Sequence, residues 1–294
     1  MTSRPPCESD PVPAPNILTD TTPVLDPEHP TRVRSVITDA WGLVYAQGGV
    51  VMAAALRAME AVLDRPDLRL ASASATFCQP VPCGPVTTDV EVLRDGRRGA
   101  QVHGALRVPG GGDAEGANVV VTAVFTDPEL PGPTVTPLVR PAELMVLPPD
   151  DAPRSRIASD YPLGFLDNTE WQTATGERPP PPAEGDLPRL AVWFRFLDPP
   201  APPGVDWDPA LLPIPGDALG LALVVALGGG DTPVGSVSLT IDLDVFAPME
   251  GSWIGIDSTC TNVGNGLAGG VLHLWRGDGT HVASVTQRAM LRSL

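Results

Sequence analysis

The chain has 294 residues, and its 35 acidic and 19 basic residues give a formal net charge of −16. This charge disfavours sequence-independent binding to a phosphate backbone, so we expect no nucleic acid partner. Every basic residue is arginine, which excludes a lysine Schiff base and the lysine of a P-loop.

The N-terminal segment, residues 1–30, is rich in Pro, Thr, Asp and Glu without an apolar period, which predicts a disordered tail. It has neither the basic start nor the apolar stretch of a secretory signal. The apolar run over residues 218–227 is shorter than the roughly 18 residues that cross a bilayer. We therefore expect a cytoplasmic protein that has no membrane partner.

The first half of the chain is predicted to form one helix followed by strands. The helix, Gly48–Leu63, begins with a glycine pair and continues with helix-forming residues. Alternating apolar residues predict strands in LASASATFCQP, VTTDVEVLRDGRRGAQVHGALRV and NVVVTAVF. A proline-rich stretch over 131–154 is interpreted as a connector.

The second half repeats this order of elements. The strand LAVWFRF, over 190–196, precedes an apolar helix, GDALGLALVVAL, over 216–227. Strands are then predicted in VSLTIDLDVFAP, SWIGIDSTCTNVGNGLAGGVLHLW and HVASVTQRAML. The offset between the halves is 169 residues, both from Gly48 to Asp217 and from Phe77 to Phe246.

One helix followed by an antiparallel meander, twice over, predicts a duplicated α+β unit. Because a helix that is apolar on nearly all sides must be covered, we expect a curved antiparallel sheet to wrap each helix, which is the hotdog arrangement. The fold prediction is a double hotdog, with an N-terminal unit over 31–130 and a C-terminal unit over 155–294, and with the two sheets joined edge to edge.

These segments resemble the acyl-CoA thioesterase II family of double-hotdog enzymes. GGVVMAAALRAMEAV and FCQPVPCGPVTTDVEVLRDGRRGAQVHGALRV are similar to the family's first helix, turn and hairpin, and LAVWFRF, GDALGL, SLTIDLDVFAP and VASVTQRAML follow in the family's order. The resemblance covers residues 31–294. It implies a catalytic trio at Asp217, Thr240 and Gln287. The family's FHRP-like run is replaced here by LDVFAP, so the acyl-pocket lining and chain-length preference are not carried over.

The repeat provides a second reason to single out this trio. The offset pairs the three polar residues with small ones: Asp217 with Gly48, Thr240 with Ala71, and Gln287 with Ala123. A scaffold duplicated for packing alone does not need a polar trio in one copy only, so one site per chain is favoured. Each residue also has a plainer interpretation: a helix cap for Asp217, a strand former for Thr240 and an outward-facing strand residue for Gln287.

Thioester hydrolysis requires an activated water and donors for the developing oxyanion. Asp217 is the candidate base, and the Thr240 hydroxyl and Gln287 amide are candidates to hold the water. The N–H groups of Gly48 and Gly49, at the head of the first helix, are candidate oxyanion donors.

A basic cluster in the first half is a candidate site for the phosphates of coenzyme A. It consists of Arg94, Arg97 and Arg98. Solvated arginines in a turn are an equally good interpretation.

Other motifs do not indicate a function. GNGLAG, over 264–269, leads into a strand, so it is interpreted as a hairpin turn and not as a dinucleotide site. There is no GxSxG motif of a serine hydrolase, and the cysteines and histidines have no metal-ligand spacing. A hydratase on a related hotdog scaffold would, by resemblance, have a His at position 222, which is Ala here.

We predict an acyl-CoA thioesterase that hydrolyses fatty acyl-CoA to free fatty acid and CoA with an activated water, without a metal or bound cofactor. By analogy with the family, we expect a homo-oligomer, a dimer of double hotdogs. Two alternatives stay open: a non-catalytic protein that binds an acyl thioester of CoA or acyl carrier protein, and a purely structural protein.

Overall fold

The computed structural model describes residues 14–110, 116–133, 135, 138–148, 163–175, 182–228 and 234–293. Within these residues, a single sheet contains the strands β1 (Val24–Leu25), β2 (Arg32–Ile37), β3 (Arg69–Phe77), β4 (Gly84–Gly96), β5 (Gly99–Arg107), β6 (Val119–Thr126), β7 (Thr169–Thr173), β8 (Arg189–Phe196), β9 (Val234–Val245), β10 (Ile254–Gly264), β11 (Leu267–Arg276) and β12 (His281–Ser293). The helices are α1 (Ile17–Asp20), α2 (Gly48–Leu63), α3 (Gly164–Asp167), α4 (Pro213–Gly216) and α5 (Leu219–Ala226), with short 3-10 helices at Asp39–Trp41, Ala142–Met145 and Pro209–Leu211.

The two halves of the chain form one continuous sheet and meet at a single pair of strands. Its strand order is β1-β2-β4-β5-β6-β3-β9-β12-β11-β10-β8-β7, so the first six strands belong to the N-terminal half. The halves meet where β3 pairs antiparallel with β9, and this register is symmetric about Ser74 opposite Asp242. The predicted α+β arrangement, two helix-and-sheet units joined edge to edge, is what the chain forms.

The central helix of the N-terminal half is α2. Its alanines and unbranched side chains favour helix, and eleven of its sixteen residues are buried. It packs on β2, β4, β5 and β6. It begins at Gly48, after the capping residue Gln47, and ends before Asp64, which adopts the left-handed conformation with φ 49°. These bounds are the predicted ones.

The apolar helix of the C-terminal half differs from the prediction. A single helix over 216–227 was expected, but Asp217 lies in a break between α4 and α5. The N–H of Leu219 donates to the side-chain oxygen of Gln287, at 3.0 Å, and so does not continue the helical ladder. A side chain from a distant strand therefore stabilises the break. Beyond it, α5 packs on β8, β10 and β11.

The segment Pro209–Ala226 is long and apolar enough to cross a membrane by length and composition, with a mean hydropathy of 1.7. In the structure it consists of the short helical pieces Pro209–Leu211, α4 and α5, and 67% of it is buried inside the protein. This degree of burial is also found in the core helices of globular folds.

The expected disordered tail over residues 1–30 is wrong for its described part, which begins at residue 14. Ile17, in α1, is fully buried, and β1 pairs with β2. The guanidinium of Arg57 in α2 donates to the carbonyl of Leu18, at 2.8 Å, and to the hydroxyl of Thr21, at 2.7 Å. Tertiary contacts that no local periodicity signals therefore order this segment.

A second, smaller apolar cluster lies apart from the main core. It contains Trp193, Trp253, Trp275 and Leu144, all buried. Leu144 comes from the predicted connector, where the short helix Ala142–Met145 packs against β8. The described part of the connector therefore contributes to the packing of the C-terminal half.

Candidate active site

Asp217 lies between α4 and α5, and its side chain does not cap its own helix. The N-cap position of α5 is occupied by Ala218, whose side chain makes no capping bond. The Asp217 carboxylate instead accepts a hydrogen bond from the backbone N–H of Gly49, at 3.0 Å, in the first turn of α2. The interpretation of Asp217 as a cap of its own helix is therefore wrong. Its side chain caps α2, which belongs to the other half.

Four donors surround the two carboxylate oxygens of Asp217. Oδ1 accepts hydrogen bonds from the Ser238 hydroxyl, at 2.8 Å, and from the Gln287 amide. Oδ2 accepts hydrogen bonds from the Gln47 amide and the Gly49 N–H, each at 3.0 Å. An ionised carboxylate has about four lone-pair sites, so these bonds satisfy the side chain as an anion.

The orientation of the Gln287 amide follows from its partners. Its Oε1 accepts from the N–H of Leu219, which can only donate, so Nε2 must face the carboxylate of Asp217. The same nitrogen lies 2.9 Å from the Ser238 hydroxyl oxygen, to which it donates. Because Gln287 is only 3% exposed, these bonds form away from bulk water. They connect β12, β9 and the start of α5.

Burial and hydrogen bonds act in opposite directions on the Asp217 carboxyl. Removal from water, which raises the pKa, is the largest effect, and donors from Ser238, Gly49, Gln287 and Gly48 oppose it because they stabilise the anion. Together they raise the pKa from the ordinary 3.8 to about 6. At neutral pH the half-buried carboxylate is ionised, and it is a stronger base than an exposed aspartate.

The hydroxyl beside the carboxylate is that of Ser238, whereas the resemblance implied Thr240. The pairing of β9 with β12 places Arg288 opposite Thr240 but Ala289 opposite Ser238, so Leu239 is an extra residue in a bulge. Ala289 is buried and Arg288 is exposed. Opposed residues share a face of the sheet, so Ser238 faces the interior and Thr240 the outer surface. The structure does not bring Thr240 to the polar cluster, which consists of Asp217, Gln47, Ser238 and Gln287.

The N-terminal half has the same bulge, in the pairing of β3 with β6 at Ala71. Because β3 and β9 pair symmetrically, the counterpart of Ser238 is Leu70, and that of Thr240 is Ser72. The offset between β3 and β9 is therefore 168 residues, which corrects the predicted pairing of Thr240 with Ala71 and that of Phe246 with Phe77, whose counterpart is Val245. A leucine side chain offers no hydrogen bond, so the N-terminal half lacks the hydroxyl of the cluster.

The predicted pairing of Gln287 with Ala123 agrees with the strand registers. Ala123 lies opposite Ala73, and Gln287 lies opposite Ile241, which is the counterpart of Ala73 in β9. The amide of the cluster is therefore also absent from the N-terminal half.

The glycine pair at the start of α2 allows the two halves to approach closely. A Cβ atom on Gly48 would lie 2.7 Å from Oδ2 of Asp217, and one on Gly49 would overlap the carbonyl oxygen of Pro213 in α4. The N–H groups of both glycines stabilise the Asp217 anion. This corrects the prediction that they are free oxyanion donors, since they hold the carboxylate here.

The three candidate phosphate-binding arginines are exposed: Arg94 lies near the end of β4, and Arg97 and Arg98 form the turn between β4 and β5. Arg65, which follows α2, donates to the carbonyl oxygens of Gly96 and Arg97 in this turn. The turn therefore lies near the C-terminal end of α2, and Asp217 lies at the N-terminal end, about 24 Å along a helix of this length. The structure does not bring these arginines to the carboxylate within one chain, and their role with CoA stays a prediction.

A surface groove of about 350 Å³ lies elsewhere, over the central strands. Its lining includes Ser74, Gln101, Thr122 and Asp242. These side chains alternate along their strands with the buried ones that face the helices, so the groove and Asp217 lie on opposite faces of the sheet. Within the described ranges, no group of three His, Cys, Asp or Glu side chains is arranged to hold a metal ion.

The sequence matches a known family in both halves. Residues 37–126 match the acyl-CoA thioesterase N-terminal domain, and residues 141–291 match the acyl-CoA thioesterase C-terminal domain. The chain belongs to the acyl-CoA thioesterase family. This membership makes it a thioester hydrolase of the acyl-CoA class, which confirms the predicted class of enzyme.

Solved structures share the fold of this thioesterase. Acyl-CoA thioesterase II TesB2 from Mycobacterium marinum is 20% identical, with a TM-score of 0.70 over 95% of this chain and 98% of that one. The tesB protein of Mycobacterium avium subsp. paratuberculosis is 17% identical, with a TM-score of 0.71 over 94% and 98%. A hot dog protein from Alicyclobacillus acidocaldarius is 19% identical, with a TM-score of 0.72 over 95% and 98%. The double-hotdog prediction is confirmed. None of the curated protein sequences matches the chain.

Two members of the polar cluster were missed from the sequence, Ser238 and Gln47. A bulge in a strand leaves no reliable mark on a short apolar and polar alternation, so Ser238 had no signal of its own. Gln47 did have one. It directly precedes a predicted helix, where Ser, Thr, Asp or Asn is the usual capping residue.

Proposed function

We propose that this thioesterase hydrolyses fatty acyl-CoA to free fatty acid and CoA, with Asp217 as the general base. The observation that carries the proposal is the contact of Asp217 with Ser238 and Gln287, in which a half-buried carboxylate of raised pKa meets a hydroxyl and an amide. A base whose pKa lies about one unit below neutral pH is ionised and still accepts a proton readily.

We place the activated water at Oδ1 of Asp217, in the acceptor site that becomes free when the Ser238 hydroxyl turns from Oδ1 toward the water. Both donors at this oxygen, Ser238 and Gln287, are side chains, whereas Oδ2 is held in part by a backbone N–H. A hydroxyl can rotate to donate to a water or to accept from it, and the Gln287 amide hydrogen that contacts Ser238 can then donate to the water oxygen. These two side chains therefore orient the lone pair of the water toward the substrate.

The reaction begins when Asp217 takes a proton from this water as its oxygen bonds to the thioester carbonyl carbon. The tetrahedral intermediate then collapses, the carbon–sulfur bond breaks, and the electron pair leaves with the sulfur of CoA. The proton held by Asp217 passes to this thiolate or to solvent, which restores the carboxylate. The products are the carboxylic acid and the free thiol.

The test is thiol release from acyl-CoAs of short, medium and long chain by the wild type and Asp217→Asn. We expect the wild type to release CoA from at least one of them, and the variant to lose about 10²- to 10⁴-fold in kcat. Equal rates for the two proteins would show that Asp217 is not the general base. Binding of acyl-CoA without release of thiol at any chain length would favour the non-catalytic alternative.

A place in lipid metabolism, location in the cytoplasm and assembly as a dimer of double hotdogs are part of the proposal. They rest on the family resemblance. Analytical ultracentrifugation measures the assembly directly, and a monomer at micromolar concentration would contradict it.

A further inference from the structure

We propose that Gln47, from the N-terminal half, is a positioning residue for the Asp217 carboxylate. This inference rests on the proposed function, since it concerns how the base is held and how strongly it binds a proton. It extends the site beyond the three residues of the C-terminal half that the resemblance singled out.

Gln47 forms hydrogen bonds with three partners from different parts of the chain. Its Oε1 accepts from the N–H of Val50, at 2.8 Å, and so caps α2. Its Nε2 donates to Oδ2 of Asp217, at 3.0 Å, and to the carbonyl oxygen of Ile214 in α4, at 3.3 Å. The side chain is 4% exposed. One amide therefore joins the start of α2, α4 and the carboxylate.

The orientation of this amide is determined by its partners. The N–H of Val50 can only donate, and the carbonyl of Ile214 can only accept. The oxygen of the amide must therefore face Val50, and its nitrogen must face Ile214 and Asp217. With the opposite orientation, two oxygens would face each other at each of the last two contacts. Gln47 is thus a fixed donor to the carboxylate.

The repeat shows that the fold does not require an amide at this position. At the offset that pairs Gly48 with Asp217, the counterpart of Gln47 is Gly216. A Cβ on Gly216 would lie 2.8 Å from a methyl group of Val285, so this position in the C-terminal half has little room for a side chain. The N-terminal half therefore supplies Gln47 and the C-terminal half supplies the base, and one site is formed from both.

The groups that contact the Asp217 carboxylate from each packed element are neutral. They are Gln47, which caps α2, Gly49 from α2, Ser238 from β9 and Gln287 from β12. Donors of this kind set how readily the carboxylate ionises, because each bond stabilises the charged form. The loss of one such bond should raise the carboxyl pKa by about one to two units.

The first test is Gln47→Glu. Glutamate has the same length and can still cap Val50, but it presents an acceptor to Asp217 in place of a donor. We expect the acidic limb of the kcat/KM–pH profile to move up by at least one pH unit. The matched control is Gln101→Glu, on the outer face of β5, which adds the same charge and should leave the profile where it is.

A second variant, Gln47→Asn, separates the helix cap from the contact with the carboxylate. Asparagine is a good capping residue but is one methylene shorter, so α2 keeps its cap while the donor is withdrawn from Asp217. We expect unchanged unfolding and an upward shift of the acidic limb. A purely structural role for Gln47 predicts loss of stability without a shift.

The Asp217 carboxyl is also titrated directly, by NMR of protein labelled with ¹³C at the aspartate carboxyls, with Asp217→Asn to assign the signal. The same upward shifts in both Gln47 variants would support the inference, whether or not the protein hydrolyses any acyl-CoA tested. A titration in Gln47→Glu and Gln47→Asn that coincides with the wild type overturns the inference. Full activity of Asp217→Asn would instead overturn the proposed function.

Discussion

The carboxylate of Asp217 and the backbone N–H of Gly49 lie 3.0 Å apart, although 168 residues separate them in the chain. The contact joins the break in the C-terminal apolar segment to the first turn of the N-terminal helix. The positive end of the α2 dipole favours the ionised carboxylate, and the carboxylate satisfies an N–H that has no partner within the helix. The Asp217 carboxylate is therefore held in place by the docking of the two halves.

Ser238→Ala should reduce thioester hydrolysis more than Thr240→Ala. The Ser238 hydroxyl contacts both Asp217 and Gln287, whereas Thr240 shares the outer face of the sheet with Arg288. We expect a fall of about 10- to 100-fold in kcat for the first variant, the loss of one charge-assisted bond at the site. The second variant should keep the wild-type rate. Steady-state kinetics with one acyl-CoA measures both.

Comparison of the wild type with Ser238→Ala also tests whether water attacks the thioester. If Ser238 itself attacked the thioester, an acylated protein would accumulate, and mass spectrometry of quenched reactions would detect the added acyl group on Ser238. We expect no such adduct, since Asp217 acts on water in the proposed reaction. An adduct that is absent from Ser238→Ala would contradict this mechanism.

The rate should rise with pH on the acidic side of neutrality. The Asp217 carboxyl has its pKa raised to about 6 by burial, and only the ionised form accepts a proton. We expect kcat/KM to increase about tenfold per pH unit below pH 6 and to level off above it. A profile that levels off near pH 4, as for an exposed aspartate, would show that this carboxyl does not limit the rate.

Stability should depend on pH through the same carboxyl, in the opposite sense to that of a salt-bridged acid. Its pKa is raised from 3.8 to about 6 on folding, so the folded state binds the proton more tightly than the unfolded state does. The stabilisation that the protonated carboxyl gives to the folded state is fully present below pH 4 and is lost as the pH rises through 6. Relative to the wild type, Asp217→Asn should therefore gain stability between these values.

Melting temperatures of the wild type and Asp217→Asn, measured from pH 4 to pH 8, check this expectation. The difference between the two proteins should grow up to about pH 6 and then stay constant, by a few degrees in total. A constant difference over the whole range would mean that the carboxyl titrates alike in the folded and unfolded chains.

Leu144→Ala should destabilise the C-terminal half without changing hydrolysis. Leu144 is fully buried against the tryptophans of the second cluster, so its truncation should cost about 2–4 kcal/mol in the free energy of unfolding. Leu147, which is 45% exposed, provides the matched control, and its replacement by alanine should cost less than 1 kcal/mol. Urea denaturation measures both. Equal midpoints for the two variants would show that the connector does not contribute to this packing.

The features that the sequence predicted are those with a local pattern. The bounds of α2 follow from helix-forming residues after a glycine pair, and the order of strands follows from alternation along each segment. The internal repeat singled out Asp217 and Gln287, because their counterparts in the first half are the small residues Gly48 and Ala123. The structure brings these two side chains into contact, although their catalytic role stays a prediction.

No local pattern predicted the helix break at Asp217 or the ordered structure of residues 14–30. Leu219 gives its N–H to Gln287, 68 residues away, and α1 is held by Arg57. In both cases a partner from a distant element decides the local conformation, because the free energy of the contact exceeds the preference of the segment alone.

The sequence by itself determined the two helix-and-sheet units, the duplication and the acidic residue at the head of the second apolar segment. Only the tertiary structure decided which hydroxyl and which amides meet that acid. A single extra residue, Leu239, places Ser238 and Thr240 on opposite faces of the sheet, whereas residues two apart in a regular strand share a face. The docking of α2 against α4 brings Gln47 to the carboxylate. Neither half alone contains both of these side chains.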